Sequence, residues 1–366
     1  MRCIVGINPN KKDAIDYKEL GIVQFGEVPI IIGMVELKQP DFDMEDPDNR
    51  NYVLLRVNAF SCNYRDKSHL LENYIRAEKY DRLYVPFGSE FSATVVAVGA
   101  EVSEFKVGDR VMSNSAYPES GEPGVLPGVA TNFASLGWLR LHRKKLIKIP
   151  ESLNDTEAAS FSLGAQTASS MIRRSGILVD GGTPLVFSGR SATSLFITQQ
   201  LVAYGFHPIC LSTSNWDDVE KQKIHPVQVE TLNWIEQEKI KITHVFDPFF
   251  DMNIGQAVDC LSVGGTYVTC GLRDQHQLLS CNTPKDAEAV VRNAIVKSIV
   301  KNVSIIGNCL GTTEDLNKAI KLQKESDFKP IIDGVYDTMQ GADFVKRSFF
   351  DFRRFGKCVL VYHNES

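Results

Sequence analysis

Eight cysteines occur in this chain of 366 residues, yet no two form a Cys-x-x-Cys pair, so zinc ribbons and dithiol redox motifs are excluded. No apolar run approaches the roughly 18 residues needed to span a bilayer. The opening MRCIVGINPNKK places its apolar residues before its lysines, the reverse of a secretory signal. A cytoplasmic protein with free thiols and no membrane partner is expected. Blocks of Lys and Arg are also missing, and 40 basic against 45 acidic residues leave a net charge of -5. Nothing in that balance suggests a nucleic-acid surface, so small molecules are the expected partners. Internal repeats and low-complexity segments are absent as well. What is present is an ordinary globular composition, 43% hydrophobic and 23% charged. The chain is about two and a half times as long as a typical domain, which suggests two domains.

Residues 1 to about 150 read as short strands bounded by turn residues: MRCIVGI, YVLLRVNAFSC, ATVVAVGAEV and LRLHRKKLIKIP. The Gly- and Pro-rich segment SNSAYPESGEPGVLPGVA is loop. The pattern changes after Pro150, where Asp155 is a plausible cap for a helix through TEAASFSLGAQTASSMIRRSGI. Strands and helices then alternate: TPLVFSG, SATSLFITQQLVAYG, FHPICLSTS, the helices VEKQKI and VETLNWIEQEK, KITHVFDPF, MNIGQAVDCLSV, GGTYVTCGL, DAEAVVRNAIVKSIVK and NVSIIGNCLG. Strands separated by helices imply crossovers and a parallel sheet covered on both faces, a doubly wound nucleotide-binding domain. The tail ends on the strand-like FGKCVLVYH, which is suited to rejoin the β-rich first half.

In such a sheet the ligand sits where a strand turns into a helix whose N-terminal amides favour phosphate. The first such turn is Val186-Phe187-Ser188-Gly189-Arg190-Ser191-Ala192-Thr193-Ser194. Its glycine fingerprint is reduced to Gly189, with Ala192 and Leu195 at the later spacings. The turn is therefore either a dinucleotide site or an ordinary capped helix start. The second strand ends Cys210-Leu211-Ser212-Thr213-Ser214, with no acid before Asp217, while Arg190, Lys221 and Lys223 offer positive charge. That favours NADP over NAD. The alternative for Ser212 to Ser214 is a polar turn with no part in cofactor choice.

Taken in order, several segments resemble the medium-chain dehydrogenase/reductase superfamily along nearly the whole chain. They are Asn63-Tyr64-Arg65-Asp66, Phe87-Gly88-Ser89-Glu90-Phe91 leading into ATVVAVGAEVSEFKVGDRV, LIKIPESLNDTEAASFSLGAQTA, VFDPF, VGGTYVTCGL, NVSIIGNCLG and FGKCVLVYH. The resemblance is greatest to the zinc-free quinone and enoyl reductase branches. It implies an α/β fold: a discontinuous GroES-like β-rich catalytic domain, 1–155 and 312–366, and a Rossmann-type doubly wound NAD(P)-binding domain, 156–311. Zinc-dependent members place a Cys where Asn63 stands and a His where Ser89 stands, so no metal is implied here.

The resemblance further implies that Asn63 and Tyr64 line the cleft near the nicotinamide. There Tyr64 would hydrogen-bond the substrate carbonyl as hydride adds to the β-carbon. Arg65 and Asp66 would brace their loop by an ion pair, and Glu90 would stand behind the site. Thr167 would approach the cofactor's amide or phosphate side, Ser188, Gly189, Arg190 and Ser191 would meet the phosphates, and Ser212 and Thr213 the adenosine ribose; Lys221, read from its charge alone, would add a cation for a 2′-phosphate. Asp247, Gly271, Leu272, Asn308 and Leu310 would lie along the nicotinamide. Trp138 and the loop 117–129 would form either a substrate lid or an ordinary surface loop. A cytoplasmic, homodimeric, zinc-independent reductase using NADP(H) on an activated C=C bond follows. A metal-free carbonyl reductase or alcohol dehydrogenase, and a non-catalytic homologue acting as a binding subunit, are the alternatives.

Overall fold

The computed structural model describes residues 1–77, 79, 81–212, 216–224, 228–273, 275–279 and 287–362, with Gln228 and Gln277 described by their backbone alone. The chain divides into two compact units. The first comprises Met1–Leu163, Gln275–Cys281 and Ile332–Ser366, and the second Gly164–Asp274 and Asn282–Ile331.

The first unit is built on the ten-residue strand Tyr52–Ser61, whose β-branched and apolar residues are nearly all buried. It pairs antiparallel with Glu90–Val98, Trp138–His142 and Lys357–Val361. In the last pairing Leu360 stands opposite Phe60 and Val359 opposite Ser61, so the tail does close the β-rich half. The sheet continues through Arg110–Ser113 and Leu146–Lys148 on one side and Ile332–Tyr336 on the other. A second, four-stranded sheet runs Lys18–Phe25, Val28–Glu36, Arg2–Ile7 and Tyr84–Val85. Phe60 anchors the core, with its ring centroid 5.3 Å from Phe344, 5.8 Å from Tyr362 and 5.9 Å from Phe87.

Two local expectations change here. The segment after the central strand is not a loop but the 13-residue helix Tyr64–Arg76. Asp66 starts it, its Oδ2 accepting the Asn63 N–H at 2.9 Å, and Leu70, Leu71 and Tyr74 lie buried along one face. Further on, the cap of the helix Asp155–Ala158 is Asn154 rather than Asp155. Asn154 Oδ1 accepts the Glu157 N–H at 2.9 Å, and Glu157 Oε2 accepts the Asn154 N–H at 2.9 Å. Asp155 is released to bind Arg110 at 2.8 Å.

The second unit holds a six-stranded, wholly parallel sheet in the spatial order Gln228–Glu230, Ile209–Leu211, Pro184–Val186, Ile242–Asp247, Leu261–Thr269, Ser304–Gly307. Numbered along the chain this is 3-2-1-4-5-6, the Rossmann order, and its switch point falls between Pro184–Val186 and Ile242–Asp247. The run VETLNWIEQEK does not form one helix. It begins as the edge strand Gln228–Glu230 and turns helical only at Leu232–Glu238, capped by Thr231. The helix Thr313–Ser326, which the sequence places in the β-rich domain, belongs to this unit. Its buried Asp315 takes a bidentate bond from Arg173 at 2.8 and 2.9 Å, and Gln166 Nε2 donates to the carbonyls of Gly311 and Thr312.

Candidate active site

Burying a charge is costly unless an opposite charge and hydrogen bonds accompany it. The first unit meets that condition at the end of its central strand. Lys357 and Glu90 are buried, with 3% and 0% of their side chains exposed, and Lys357 Nζ lies 3.0 Å from Glu90 Oε2. The same ammonium donates to Asn63 Oδ1 at 2.6 Å and to the Cys62 carbonyl at 3.1 Å. Glu90 Oε1 accepts the Leu163 N–H at 2.8 Å, and Oε2 accepts the Ser61 hydroxyl at 3.3 Å.

Asn63 is thereby oriented: its oxygen faces the ammonium, and its Nδ2 donates to Ser89 Oγ at 3.1 Å and Glu90 Oε2 at 3.3 Å. Ser89 in turn gives both its N–H and its hydroxyl to Asp66 Oδ2, at 3.1 and 2.7 Å. Arg65 Nη1 binds Asp66 Oδ1 at 2.9 Å and Asn132 Oδ1 at 2.8 Å. The expected Arg65–Asp66 pair is thus present, on the first turn of a helix.

Tyr64 opens that helix half-buried, its ring 5.4 Å from Lys67 Nζ, which also lies 4.6 Å from the Phe350 ring. Burial pushes the neighbouring Cys62 thiol well above its ordinary range, so it is an apolar filler rather than a thiolate. Trp138 opens a strand opposite Arg56.

In the second unit the turn after the first strand is held from several sides. Ser188 takes a left-handed φ of +54°, a conformation that costs a non-glycine residue, and its Oγ accepts from Asn253 Nδ2 at 3.3 Å. Gly189 donates to the Leu211 carbonyl at 2.8 Å. A Cβ on Gly189 would stand 2.9 Å from Leu211 O, 3.0 Å from Cys210 Sγ and 3.1 Å from Trp216 Cζ2, so only glycine fits. Ser191 caps the helix Ala192–Ala203 by accepting the Ser194 N–H at 3.1 Å, and the Ser194 hydroxyl bonds the Phe187 carbonyl at 2.7 Å. Leu195 is buried. Close approach of this helix to its neighbour occurs at Gly164 instead, where a Cβ would meet Phe196 at 2.6 Å.

Arg190 was expected to offer its charge to phosphate. It grips Glu220, Nη1 to Oε2 at 2.9 Å and Nη2 to Oε1. Trp216 is buried and gives its Nε1–H to Ser212 Oγ at 2.8 Å. Lys221 is exposed on the helix Asp218–Gln222, and Thr213 lies outside the described residues.

At the other side of the switch point Asp247 is fully buried. It accepts from Tyr267 Oη at 2.7 Å, Asn253 Nδ2 at 2.8 Å and the Phe249 N–H at 2.9 Å, and burial holds its carboxyl above the usual range. It shapes the strand end from within. Gly271 allows close approach to the Pro248 carbonyl, 2.9 Å from where a Cβ would be, and Leu272 is exposed beside it. Asn308 is buried, accepting from Ser170 at 2.9 Å and Arg174 at 3.0 Å and donating to the Leu310 carbonyl at 2.8 Å. Leu310 has φ +52°, and Thr167 is buried on the helix Ser162–Ser175.

The sequence reading brought Asn63, Ser89 and Glu90 together but missed Lys357, Glu220, Trp216, Asn253 and Tyr267. A lysine opening the otherwise apolar run KCVLV was the available signal for Lys357; nothing local marks the others.

A parallel sheet in Rossmann order and a β-rich unit closed by the chain's tail define a two-unit dinucleotide-type fold. Residues 49–151 match the alcohol dehydrogenase GroES-like domain. The chain is 25% identical over 340 residues to acryloyl-coenzyme A reductase of Sulfurisphaera tokodaii, covering 87% of this chain and 95% of that one. It is also 25% identical over 331 residues to human quinone oxidoreductase, covering 84% and 88%. Among solved structures, an NAD-dependent alcohol dehydrogenase superposes with a TM-score of 0.72 at 18% identity, covering 99% of this chain and 100% of that one. The 2-octenoyl-CoA carboxylase reductase CinF, in complex with NADP and 2-octenoyl-CoA, gives 0.69 at 20%, covering 98% and 87%. Along most of its length the chain is similar to members of the medium-chain dehydrogenase/reductase superfamily, and its two units have their fold.

Proposed function

We propose that the protein is a zinc-independent, NADPH-dependent reductase that delivers hydride to an activated C=C bond, as in an enoyl thioester, an enone or a quinone. The observation that carries the zinc-independent part is the donor set around Lys357. Where zinc-dependent members of the superfamily place Cys and His, this chain has the amide of Asn63 and the hydroxyl of Ser89. Asn63 and Glu90 bind the Lys357 ammonium directly, and Ser89 reaches it only through Asn63. An amide, a hydroxyl and a carboxylate already neutralised by a buried cation do not fit a zinc ion, which takes thiolate, imidazole or free carboxylate. The C=C reading is supported by the acryloyl-coenzyme A reductase and quinone oxidoreductase relatives.

The residues of the second unit fit a dinucleotide. Gly189 lets the turn after the first strand approach the end of the second, a capped helix follows it, and Arg190 stands beside that strand end. A bound nicotinamide would supply the hydride. The chain's own residues bind and orient. Ser188, Gly189 and Ser191 would receive the phosphates, and Tyr64 would donate a hydrogen bond to the substrate carbonyl oxygen as enolate charge develops there. The network fixed by Lys357 would hold the helix that carries Tyr64. A homodimer formed through the edge strand Ser304–Gly307 belongs to the same reading, supported by Ile299, Val300 and Ile305 exposed at that side of the sheet. A cytoplasmic setting is supported by the buried free thiols of Cys3, Cys62, Cys210 and Cys358.

Titration with NADPH and NADH, followed by nicotinamide fluorescence, tests the cofactor. Saturation with NADPH is expected; no saturable signal with either dinucleotide overturns the reading.

A further inference from the structure

In Rossmann sheets the residue at the end of the second strand meets the adenosine ribose: an acid there holds the 2′-hydroxyl of NAD, and a nearby Arg accommodates the 2′-phosphate of NADP. This chain shows neither arrangement in its simple form. The strand Ile209–Leu211 ends in Ser212 with no carboxylate. Arg190 lies beside that strand end, because the preceding Gly189 is bonded to Leu211 O at 2.8 Å and packed against Trp216. Its guanidinium is taken edge-on by Glu220, with both side chains 16% exposed. Glu220 is itself fixed on the first turn of the helix Asp218–Gln222, where its Oε2 accepts the Asp217 N–H at 3.1 Å and its own N–H binds Asp217 Oδ1 at 2.8 Å. The carboxylate missing from the strand end therefore arrives from a neighbouring helix and sits on the arginine.

We propose that Glu220 is an internal competitor for Arg190 and sets the dinucleotide preference of the site, a step that rests on the NADPH reading above. Glu220 occupies the Nη1–Nη2 edge of the guanidinium, and that edge holds one anion at a time in a bidentate grip. A 2′-phosphate that takes this edge must displace the Glu220 carboxylate, and one that binds elsewhere on the guanidinium remains near its charge, whereas a ribose diol leaves the pair intact. The pair is only partly exposed, so it is weakly screened, yet it keeps enough access for exchange. Glu220 lowers affinity for the 2′-phosphorylated dinucleotide and leaves affinity for the other unchanged.

The test uses the full-length protein and its Glu220→Gln variant, with Kd measured for NADPH, NADH and adenosine 2′,5′-bisphosphate, the last of which carries the 2′-phosphate without a nicotinamide. Glu220→Gln should bind NADPH and the bisphosphate about tenfold more tightly, the size of effect expected for removing one poorly screened repulsion. NADH affinity should stay within about twofold, and adding Arg190→Gln should erase the gain. If Glu220→Gln does not fold by circular dichroism, Glu220→Ala carries the same expectation. A ratio of NADPH to NADH affinity unchanged by loss of Glu220 overturns the proposal while leaving the reductase reading standing. Failure of both dinucleotides to bind wild-type and variant overturns both.

Discussion

The two units each hold a glutamate gripped by a basic side chain, and the contrast is between a sealed ion pair and a partly exposed one. Lys357 and Glu90 are sealed among strands, and further bonds come from Ser61, Asn63, Cys62 and Leu163. Each charge is needed by the other, and no solvent can replace a lost partner. Arg190 and Glu220 bridge a turn and a short helix and remain partly exposed. There water or an incoming anion can take over one side of the pair. Similar chemistry at different depth gives a fixed lock in one unit and a replaceable contact in the other.

The largest expected effect breaks the lock. Lys357→Met leaves Glu90 buried and uncompensated and should cost about 3–5 kcal/mol in denaturant unfolding. The double variant Lys357→Met, Glu90→Gln should recover most of that loss, and a double-mutant cycle showing additivity would deny the coupling. Tyr64→Phe should lower turnover by roughly 10²-fold while leaving NADPH affinity unchanged, which would assign chemistry to the first unit and dinucleotide binding to the second; unchanged turnover removes Tyr64 from the mechanism.

In the second unit, Gly189→Ala forces a Cβ against Leu211 O and Trp216 and should cost about 1–3 kcal/mol together with dinucleotide affinity. Asp247→Asn strands one of three donors and should cost about 1–3 kcal/mol. Burial raises the Asp247 carboxyl in the folded chain, so the stability linked to it is full below the unfolded pKa and is lost as pH rises through the raised folded value. Unfolding measured against pH should show that dependence in the wild type and not in Asp247→Asn. Least of all, Glu220→Gln should change stability by no more than about 1 kcal/mol, although it shifts ligand preference. A loss comparable with that of Lys357→Met would make the two pairs alike and remove the contrast.

Much of this was legible in the chain because the signals were local. Alternation of apolar strands with helices implied the parallel sheet, and Gly189 marked the turn from its first strand into a helix. Asn63, Ser89 and Glu90 were tied together by resemblance before their contacts were known. The helix Tyr64–Arg76 was missed because its sequence YRDKSHLLENYIR follows a long strand without a glycine or proline to announce the change. Lys357 and Glu90 lie 267 positions apart, and only the pairing of Val359 with Ser61 brings the lysine to the end of the central strand. Glu220 escaped for a related reason: a carboxylate is expected at the strand end, and this one reaches Arg190 from a helix further along.

The most direct test of the account asks whether the Lys357 cluster works without metal. Protein dialysed against a strong chelator, and verified by elemental analysis, should oxidise NADPH in the presence of an enoyl thioester, an enone or a quinone at the rate of untreated protein. Activity lost with the removal of one zinc per chain and regained when zinc is returned would contradict it.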